Sequence, residues 1–358
     1  MKDNIEAAYS KRSKRWKLIF LMLIVIMFVT VIVALNIGYA PISFSEILSI
    51  LGKQIPGLNE FIVPTAFSQT NEAIIMQIRL PRILSGVIIG AGLATSGVLY
   101  QGVFRNPMAD PYVLGVSAGA SVGAGFAILF GSGLSVLGFP IVPTTAFIAA
   151  LITVFVVYNI SKVGSRVPEM TLLLSGIAIT IFLAAIFQIM QVLAPNTKLH
   201  SLVFWSIGGI ANATWSDWWS VFPFIIVGII LSYFFSRDLN MIALGEDTAQ
   251  HLGVNTETTK KILLTLGSMM TAAAVSISGL IGFVGLMIPH ITRLIIGPDH
   301  RILLPASIIV GAIFLVVCDA IARIVTGASE LPVGVITALA GGPFFIFLLR
   351  KRKLSYRM

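Results

Sequence analysis

The sequence has 358 residues, of which 57% are hydrophobic and 11% are charged. This balance excludes a soluble globular domain and predicts an all-α, polytopic membrane protein. The formal net charge of +9 does not indicate nucleic-acid binding, because the basic residues lie between apolar runs and act as signals of membrane topology.

The chain begins with a basic arm, residues 1–17, which contains six Lys and Arg residues. The apolar run 18–35 follows directly and is long enough for a spanning helix. A signal peptide would have a shorter apolar core and a small-residue cleavage site, so we predict an uncleaved first helix with a cytoplasmic N-terminus. Residues 39–78 are predicted to form an external loop, in which S-F-S-E at 43–46 is typical of a helix cap.

Nine further apolar runs follow, and with the first they predict ten transmembrane helices per subunit. We place them at 18–35, 83–104, 113–130, 140–161, 170–194, a sixth run that ends near 235, 260–281, 284–296, 302–322 and 333–349. The transmembrane domain is therefore 18–349, with a cytoplasmic loop at 236–259 and a basic cytoplasmic tail at 350–358. In the segment 195–219, the tryptophans are predicted to lie at the outer interface.

The distribution of Lys and Arg supports this topology. With both termini in the cytoplasm, 19 of the 24 basic residues lie inside and five lie outside, which is the usual bias of membrane proteins. No internal repeat is evident by eye, although the second to fifth and the seventh to tenth helices could form an inverted pair.

Small residues are concentrated in the second and third predicted helices, where several glycines recur on one helical face. These glycines are Gly86, Gly90, Gly97, Gly119 and Gly123. Small residues let neighbouring helices approach closely within lipid. Two interpretations stay open, namely close helix packing and the small-residue wall of a pore.

The sequence contains no obvious energy source or catalytic group. It has no G-x-x-x-x-G-K-[ST] motif for ATP. The four histidines lie on separate segments, and Cys318 is the one cysteine, so no metal site is predicted. Asp319 lies inside an apolar run with Arg323 one turn later, which indicates a local ion pair or, alternatively, a proton relay.

Two segments could contact partner proteins. In the inside loop 243–254, Leu244, Ala249 and Leu252 are predicted to share one face of a short helix that fits a groove on another protein or lies on the membrane surface. At the outer entrance to the second helix, Arg79 and Arg82 are either interfacial anchors or partners for carboxylates of an external protein.

Six motifs follow one another along the chain. They are R-L-P-R at 79–82, N-P-M-A-D-P-Y-V-L-G-V-S-A-G-A at 106–120, L-G-E-D-T-A-Q-H-L-G-V at 244–254, G-F-V-G-L-M-I-P-H-I-T-R at 282–293, G-P-D-H-R at 297–301 and E-L-P-V-G at 330–334. In this order they resemble the FecCD family, the permease subunits of ABC importers for iron-siderophore complexes, heme and vitamin B12. The similarity runs from about residue 17 to the tail.

This resemblance implies an assembly in the cytoplasmic (inner) membrane of a prokaryote. A second permease subunit, as a homodimer or a close heterodimer, forms the pathway, two cytoplasmic ATPase subunits bind ATP and Mg, and an extracytoplasmic substrate-binding protein delivers the cargo. The chain itself would then be neither an enzyme nor the holder of a cofactor.

The resemblance also implies roles for individual residues. By this resemblance, the residues that would dock the binding protein are Arg79, Arg82 and Arg323. Those that would form the cytoplasmic gate are Asn106, Met108, Pro168 and Glu169. Coupling to the ATPase falls on Ala243, Leu244, Gly245, Glu246, Asp247, Thr248, Ala249, Gln250, His251, Leu252, Gly253 and Val254.

The expected function is import of an iron chelate, either a siderophore complex or heme, with vitamin B12 as the alternative cargo. A path with few donors or acceptors cannot bind a large polar chelate tightly, so specificity would belong to the external receptor. The competing classes are an ion-coupled secondary carrier and a membrane enzyme.

Overall fold

The computed structural model describes residues 2–54, 68–131, 133–136, 138–164, 167–326 and 331–355. Over these residues the chain is almost entirely helical, apart from a short antiparallel pair, β1 (Ser135–Val136) and β2 (Phe139–Pro140). The helices are α1 (Lys2–Asn36), α2 (Phe44–Lys53), α3 (Gln69–Ala73), α4 (Leu80–Val103), α5 (Val116–Phe130), α6 (Ile141–Ile160), α7 (Glu169–Leu193), α8 (Asn196–Ile207), α9 (Trp215–Phe234), α10 (Ser236–Ile242), α11 (Glu246–His251), α12 (Thr256–Ser278), α13 (Val284–Ile296), α14 (His300–Thr326) and α15 (Val333–Ser355). The predicted all-α class is confirmed.

Eight helical segments within the described residues are long and apolar enough to cross a membrane. They are Trp16–Asn36, Gln69–Val103, Ile141–Ile160, Glu169–Leu193, Trp215–Phe234, Thr256–Ser278, His300–Val325 and Val333–Arg350. At 15 and 13 residues, α5 and α13 are only about 20 Å long, less than the hydrocarbon layer of about 30 Å. Ten apolar helices therefore occupy the ten predicted positions, while ten complete spans stay a prediction.

The second predicted span begins much earlier than its sequence indicates. Helical structure starts at Gln69 and passes through a π-helical turn, Ile74–Arg79, into α4. Pro81 has no N–H to donate to a carbonyl of the preceding turn. A π turn, whose hydrogen bonds span one more residue than those of an α-helix, accommodates this missing bond within a continuous helix. Residues 69–78 therefore extend the span, and residues 55–67 of the predicted external loop lie outside the described part of the chain. The predicted cap is confirmed, since Ser43 Oγ accepts a hydrogen bond from Glu46 N at the start of α2.

The glycines of α4 and α5 lie against other helices of the same chain. A Cβ atom added to Gly97 would be 1.8 Å from the carbonyl oxygen of Gly285 on α13, and one on Gly90 would be 2.2 Å from that of Gly311 on α14. Gly119 and Gly123 meet α6 in the same way, at the side chain of Thr153 and the backbone of Thr145, and Gly86 packs against Ile210 and Val316. These contacts favour the packing interpretation for the five positions, because none has room for a side chain without displacing a neighbour.

The helices α4–α7 and α12–α15 form two sets that repeat one packing arrangement, and their first members, α4 and α12, contact each other. α4 packs on α13 and α14, and α12 packs on α5 and α6. The short helix is the second member of each set, α5 after α4 and α13 after α12. This matching supports the inverted pair of helices that the sequence only weakly indicates.

Polar side chains gather at two separate ends of the bundle. Arg79, Arg82 and Arg323, all predicted to lie outside, meet near the end of α1. Arg105 and Lys260, both predicted to lie inside, meet at another place through Glu246. The packing therefore agrees with the relative sides that the charge count predicts.

Candidate functional site

The segment predicted to contact an ATPase, residues 243–254, contains the short helix α11, and a turn joins it to the preceding helix α10. Gly245 and Gly253, on either side of α11, have φ values of 120° and 92°, which favour glycine. Ala249 is fully buried in a small cluster with Ile242 and Val254.

The predicted shared face of this segment is wrong. Leu244 is 69% exposed and Leu252 57% exposed, whereas Ala249 points inward. The reason is that α11 has only six residues, so both leucines lie in flanking turns where helical periodicity does not apply. The segment thus presents two exposed leucines while the alanine holds it to the body of the protein.

An ionic cluster attaches α11 to the neighbouring helices. Lys260 Nζ on α12 lies 2.9 Å from Glu169 Oε1 at the start of α7, and it also pairs with Glu246 at the start of α11. Arg105 NH2 lies 3.5 Å from the same Glu246 oxygen. The structure thereby brings together Glu246 from the predicted coupling segment and Glu169 from the predicted gate.

A second polar cluster attaches α10 to the start of α14. Asn240 Nδ2 donates a hydrogen bond of 2.8 Å to Asp299 Oδ1, and the backbone N–H of His300 donates to Asn240 Oδ1 at 2.9 Å. Arg301 holds Asp299 through its Nε and NH2 atoms. Sequence reasoning assigned no role to Asn240, and Lys260 was counted only as a topology signal. The motif G-P-D-H-R at 297–301 was the one available signal for this cluster.

The predicted gate residues lie in two turns. Asn106 Oδ1 accepts a hydrogen bond of 3.0 Å from Met108 N, and the Met108 side chain lines a narrow apolar gap with Phe283 and Phe344. Pro168 accepts a hydrogen bond from Leu172 N at the start of α7. The two turns are linked through the ionic cluster, since Arg105 precedes one turn and Glu169 belongs to the other.

The three outer arginines are buried. Arg79 is 5% exposed and donates to the carbonyl oxygens of Leu35 and Ala40, at 2.6 and 2.5 Å. Arg82 lies 2.8 Å from Asp319 Oδ1, and Arg323 Nε lies 3.2 Å from Asp319 Oδ2. The predicted Asp319–Arg323 ion pair is confirmed, and Arg82 extends it to α4.

Docking of an external protein on these arginines stays a prediction. Arg323 also donates to the carbonyl oxygens of Ala34 and Ile37, so the three guanidinium groups join α4 and α14 to the end of α1 and the turn after it. A protein that docks on this conformation would meet the surrounding surface before it reached these side chains.

An open cavity of about 780 Å³ adjoins the buried ion pair. It is lined by Arg82 and Asp319, and by His200, Trp205 and Asp217 from the aromatic-rich segment 195–219. This segment was predicted to lie at the outer interface. Ile78, Ile210 and Val333 are among its apolar lining residues, so the cavity is of mixed polarity.

The attachments of α10 and α11 are expected to weaken in acid. Burial raises the pKa of Glu246, but the hydrogen bond and charge of Lys260, with the charge of Arg105, lower it to a net value below its usual range. The Arg301 hydrogen bond, against burial and with help from Asn240, lowers the pKa of Asp299. A carboxyl group whose pKa is lowered on folding stabilises the folded state above its unfolded pKa of about 4, and this stabilisation is lost as the pH falls through the lowered value.

We therefore expect hydrogen exchange in 236–254 to accelerate, relative to α4, as the pH falls below about 4. Exchange measured by mass spectrometry at matched intrinsic rates would check this. The variants Glu246→Gln and Asp299→Asn should reduce the pH dependence. An unchanged acid response in both variants would contradict this explanation.

Comparison with known proteins places these features in a family. A model described as the FecCD transport family matches residues 23–351. The cobalamin import system permease protein BtuC of Halobacterium salinarum is 45% identical over 80% of this chain and 76% of its own length. The hemin transport system permease protein HmuU of Yersinia pestis is 38% identical over 80% of this chain and 86% of its own length.

A solved structure agrees with the sequence comparison. An inward-facing structure of a metal-chelate type ABC transporter is 32% identical, with a TM-score of 0.78 over 93% of this chain and 99% of that one. The match to the family model covers most of the described helices, including the predicted coupling segment and both predicted gate turns. The chain therefore belongs to the FecCD transport family.

Proposed function

We propose that this chain is the permease subunit of an ABC importer that moves an iron chelate, a siderophore complex or heme, across a prokaryotic cytoplasmic membrane. The observation that carries the proposal is the exposed apolar surface of the segment 243–254. Leu244 and Leu252 are exposed on a short helical element that two polar clusters hold to the bundle. Exposed apolar side chains on a well-anchored helix suit a groove on another protein, here the ATPase.

The complete assembly has two copies of this chain, each with ten transmembrane helices and both termini in the cytoplasm. Few residues in the apolar stretches of α7 and α15 are buried within the single chain, namely 17% in α7 and 22% in α15. This leaves apolar surface both for membrane lipid and for a second permease subunit. Two ATPase subunits supply ATP hydrolysis with bound Mg, and a substrate-binding protein docks at the opposite end.

The cargo assignment follows from the relatives. One is named for hemin and another for cobalamin, so vitamin B12 is the alternative cargo on the same machinery. Both are large chelates, and the binding protein would choose between them.

Ion-coupled transport is the competing mechanism, and Asp319 is its best candidate proton acceptor. Each oxygen of Asp319 lies within 3.2 Å of an arginine nitrogen. Both carboxylate oxygens are therefore engaged by arginines that join α4 to α14, which suits a structural ion pair better than a proton carrier. We therefore assign Asp319 to the structure of the permease.

Reconstitution tests the proposed function. The purified chain, with and without its ATPase and binding protein, is placed in vesicles and offered a ferric siderophore, heme or cyanocobalamin. We expect uptake only from the complete complex with ATP and Mg. Accumulation by this chain alone on an ion gradient would overturn the proposal, and the chelate that the binding protein retains would identify the cargo.

A further inference from the structure

The ionic cluster at the coupling segment joins three parts of the chain that are distant in sequence. Glu246 is the first residue of α11, and Glu169 is the first residue of α7. Lys260 lies in the second turn of α12, and its ammonium group contacts both carboxylates. Arg105 reaches Glu246 from the turn that holds Asn106 and Met108. A single lysine therefore lies where the coupling segment meets the gates.

The burial of Lys260 sets it apart from a lysine that serves only as a topology signal. Its side chain is 12% exposed, against 30% for Glu246 and 34% for Glu169. Lysine usually keeps its ammonium group in water. Here that hydration is replaced by charge-assisted hydrogen bonds to two carboxylates. Glu169 also lies at the N-terminus of the 25-residue helix α7, where the helix dipole favours negative charge.

The neighbouring lysine shows the contrast. Lys261 is exposed, and its ammonium nitrogen lies 5.8 Å from the centre of the Tyr158 ring. The two lysines are adjacent in sequence and equal in charge, so a count of basic residues cannot distinguish them. Only Lys260 points between the starts of α7 and α11, and this geometry makes Lys261 a matched control.

We propose that Lys260 is a positioning residue that links movement of the ATPase-facing segment 243–254 to both gate turns. It holds Glu246 and Glu169 on one ammonium group, while Arg105 pairs with the same oxygen of Glu246. When the ATPase displaces α11, the first turn of α7 and the turn at 105–108 move with it as one unit. Because partly exposed ion pairs add little to the free energy of unfolding, we assign the cluster the role of connecting these segments. The link rests on the proposed function, because it needs an ATPase to move α11.

Lys260→Met tests the link, since methionine keeps the length of the side chain and removes its charge. In vesicles that contain the complete complex, we expect uptake per ATP hydrolysed to fall about tenfold, within the usual range of coupling between sites. Lys260→Arg, which retains charge and several donors, should recover most of the uptake per ATP. Glu169→Gln should lower it as well, and the double variant Lys260→Met/Glu169→Gln should lose no more than the stronger single variant.

Lys261→Met is the control and should give the same uptake per ATP hydrolysed as the parent protein. A distance measurement between spin labels at Met170 and Asp247, on a Cys318→Ala background, adds a readout that does not depend on transport. We expect a broader distance distribution in Lys260→Met and an unchanged one in Lys261→Met.

The possible results separate the link from the proposed function. Normal uptake per ATP in Lys260→Met, or equal losses in Lys260→Met and Lys261→Met, would overturn the link alone. A parent complex without nucleotide-dependent uptake would overturn the proposed function and the link with it.

Discussion

Gly97→Ala is expected to destabilise the permease by about 3 kcal/mol, although a single methyl group is added. The new Cβ would lie 1.8 Å from the carbonyl oxygen of Gly285 and 2.6 Å from its carbonyl carbon. Both are backbone atoms of α13, so no side chain can rotate away. α4 and α13 would have to separate, and the hydrogen bond of 3.0 Å from Gln101 Nε2 to the Leu286 carbonyl would be strained with them.

Gly342→Ala is the matched control for this prediction. Gly342 also lies within a helix, α15, and a Cβ added there meets nothing within 4 Å in the described chain. Alanine is the better helix former by about 0.5–1 kcal/mol, so this variant should be as stable as the parent or more so. The measurement is the midpoint of thermal unfolding in detergent, together with the yield of monodisperse protein. Equal midpoints for the two variants would contradict the close approach of α4 and α13.

Asp319→Asn is expected to cost about 3–5 kcal/mol, the range for breaking a buried ion pair. Its carboxylate is 1% exposed and is shared by Arg82 on α4 and Arg323 on α14, whose side chains are 5% and 4% exposed. Asparagine removes the negative charge that both arginines share and leaves their charges buried. The junction of α4, α14 and the end of α1 should then loosen.

Glu72→Gln provides the surface comparison for Asp319→Asn. Glu72 pairs with Lys53 at 3.3 Å, and their side chains are 26% and 55% exposed. Exposed pairs of this kind contribute less than about 1 kcal/mol, so Glu72→Gln should barely move the unfolding midpoint. If Asp319→Asn also left the midpoint unchanged but abolished uptake, the structural assignment of Asp319 would fail and the proton-relay interpretation would gain support.

Hydropathy in the sequence was sufficient to predict the membrane class and the positions of the apolar helices, and the two polar clusters agree with the sides that the charge count predicts. These properties depend on local composition, because each apolar run must satisfy its own backbone within lipid and each basic loop must lie on a permitted side. The motifs of 79–82, 106–120 and 244–254 similarly indicated the family, which the comparisons confirm. The start of the second span was misplaced, because the uncharged run begins only after Arg82, whereas the helix continues through Arg79 and Arg82 by way of a π turn.

Contacts between distant segments were decided only by the tertiary structure. The sequence left Gly97 open between packing and pore wall, since its partner Gly285 is far along the chain. It placed Arg82 at an interface, whereas the fold brings the side chain to Asp319. Lys260 and Lys261 are equivalent in sequence, and only the packing of α7, α11 and α12 selects Lys260 to hold two carboxylates. The physical reason is that the effect of a charge or of a missing side chain depends on the atoms that surround it, and the packing of the helices decides which atoms those are.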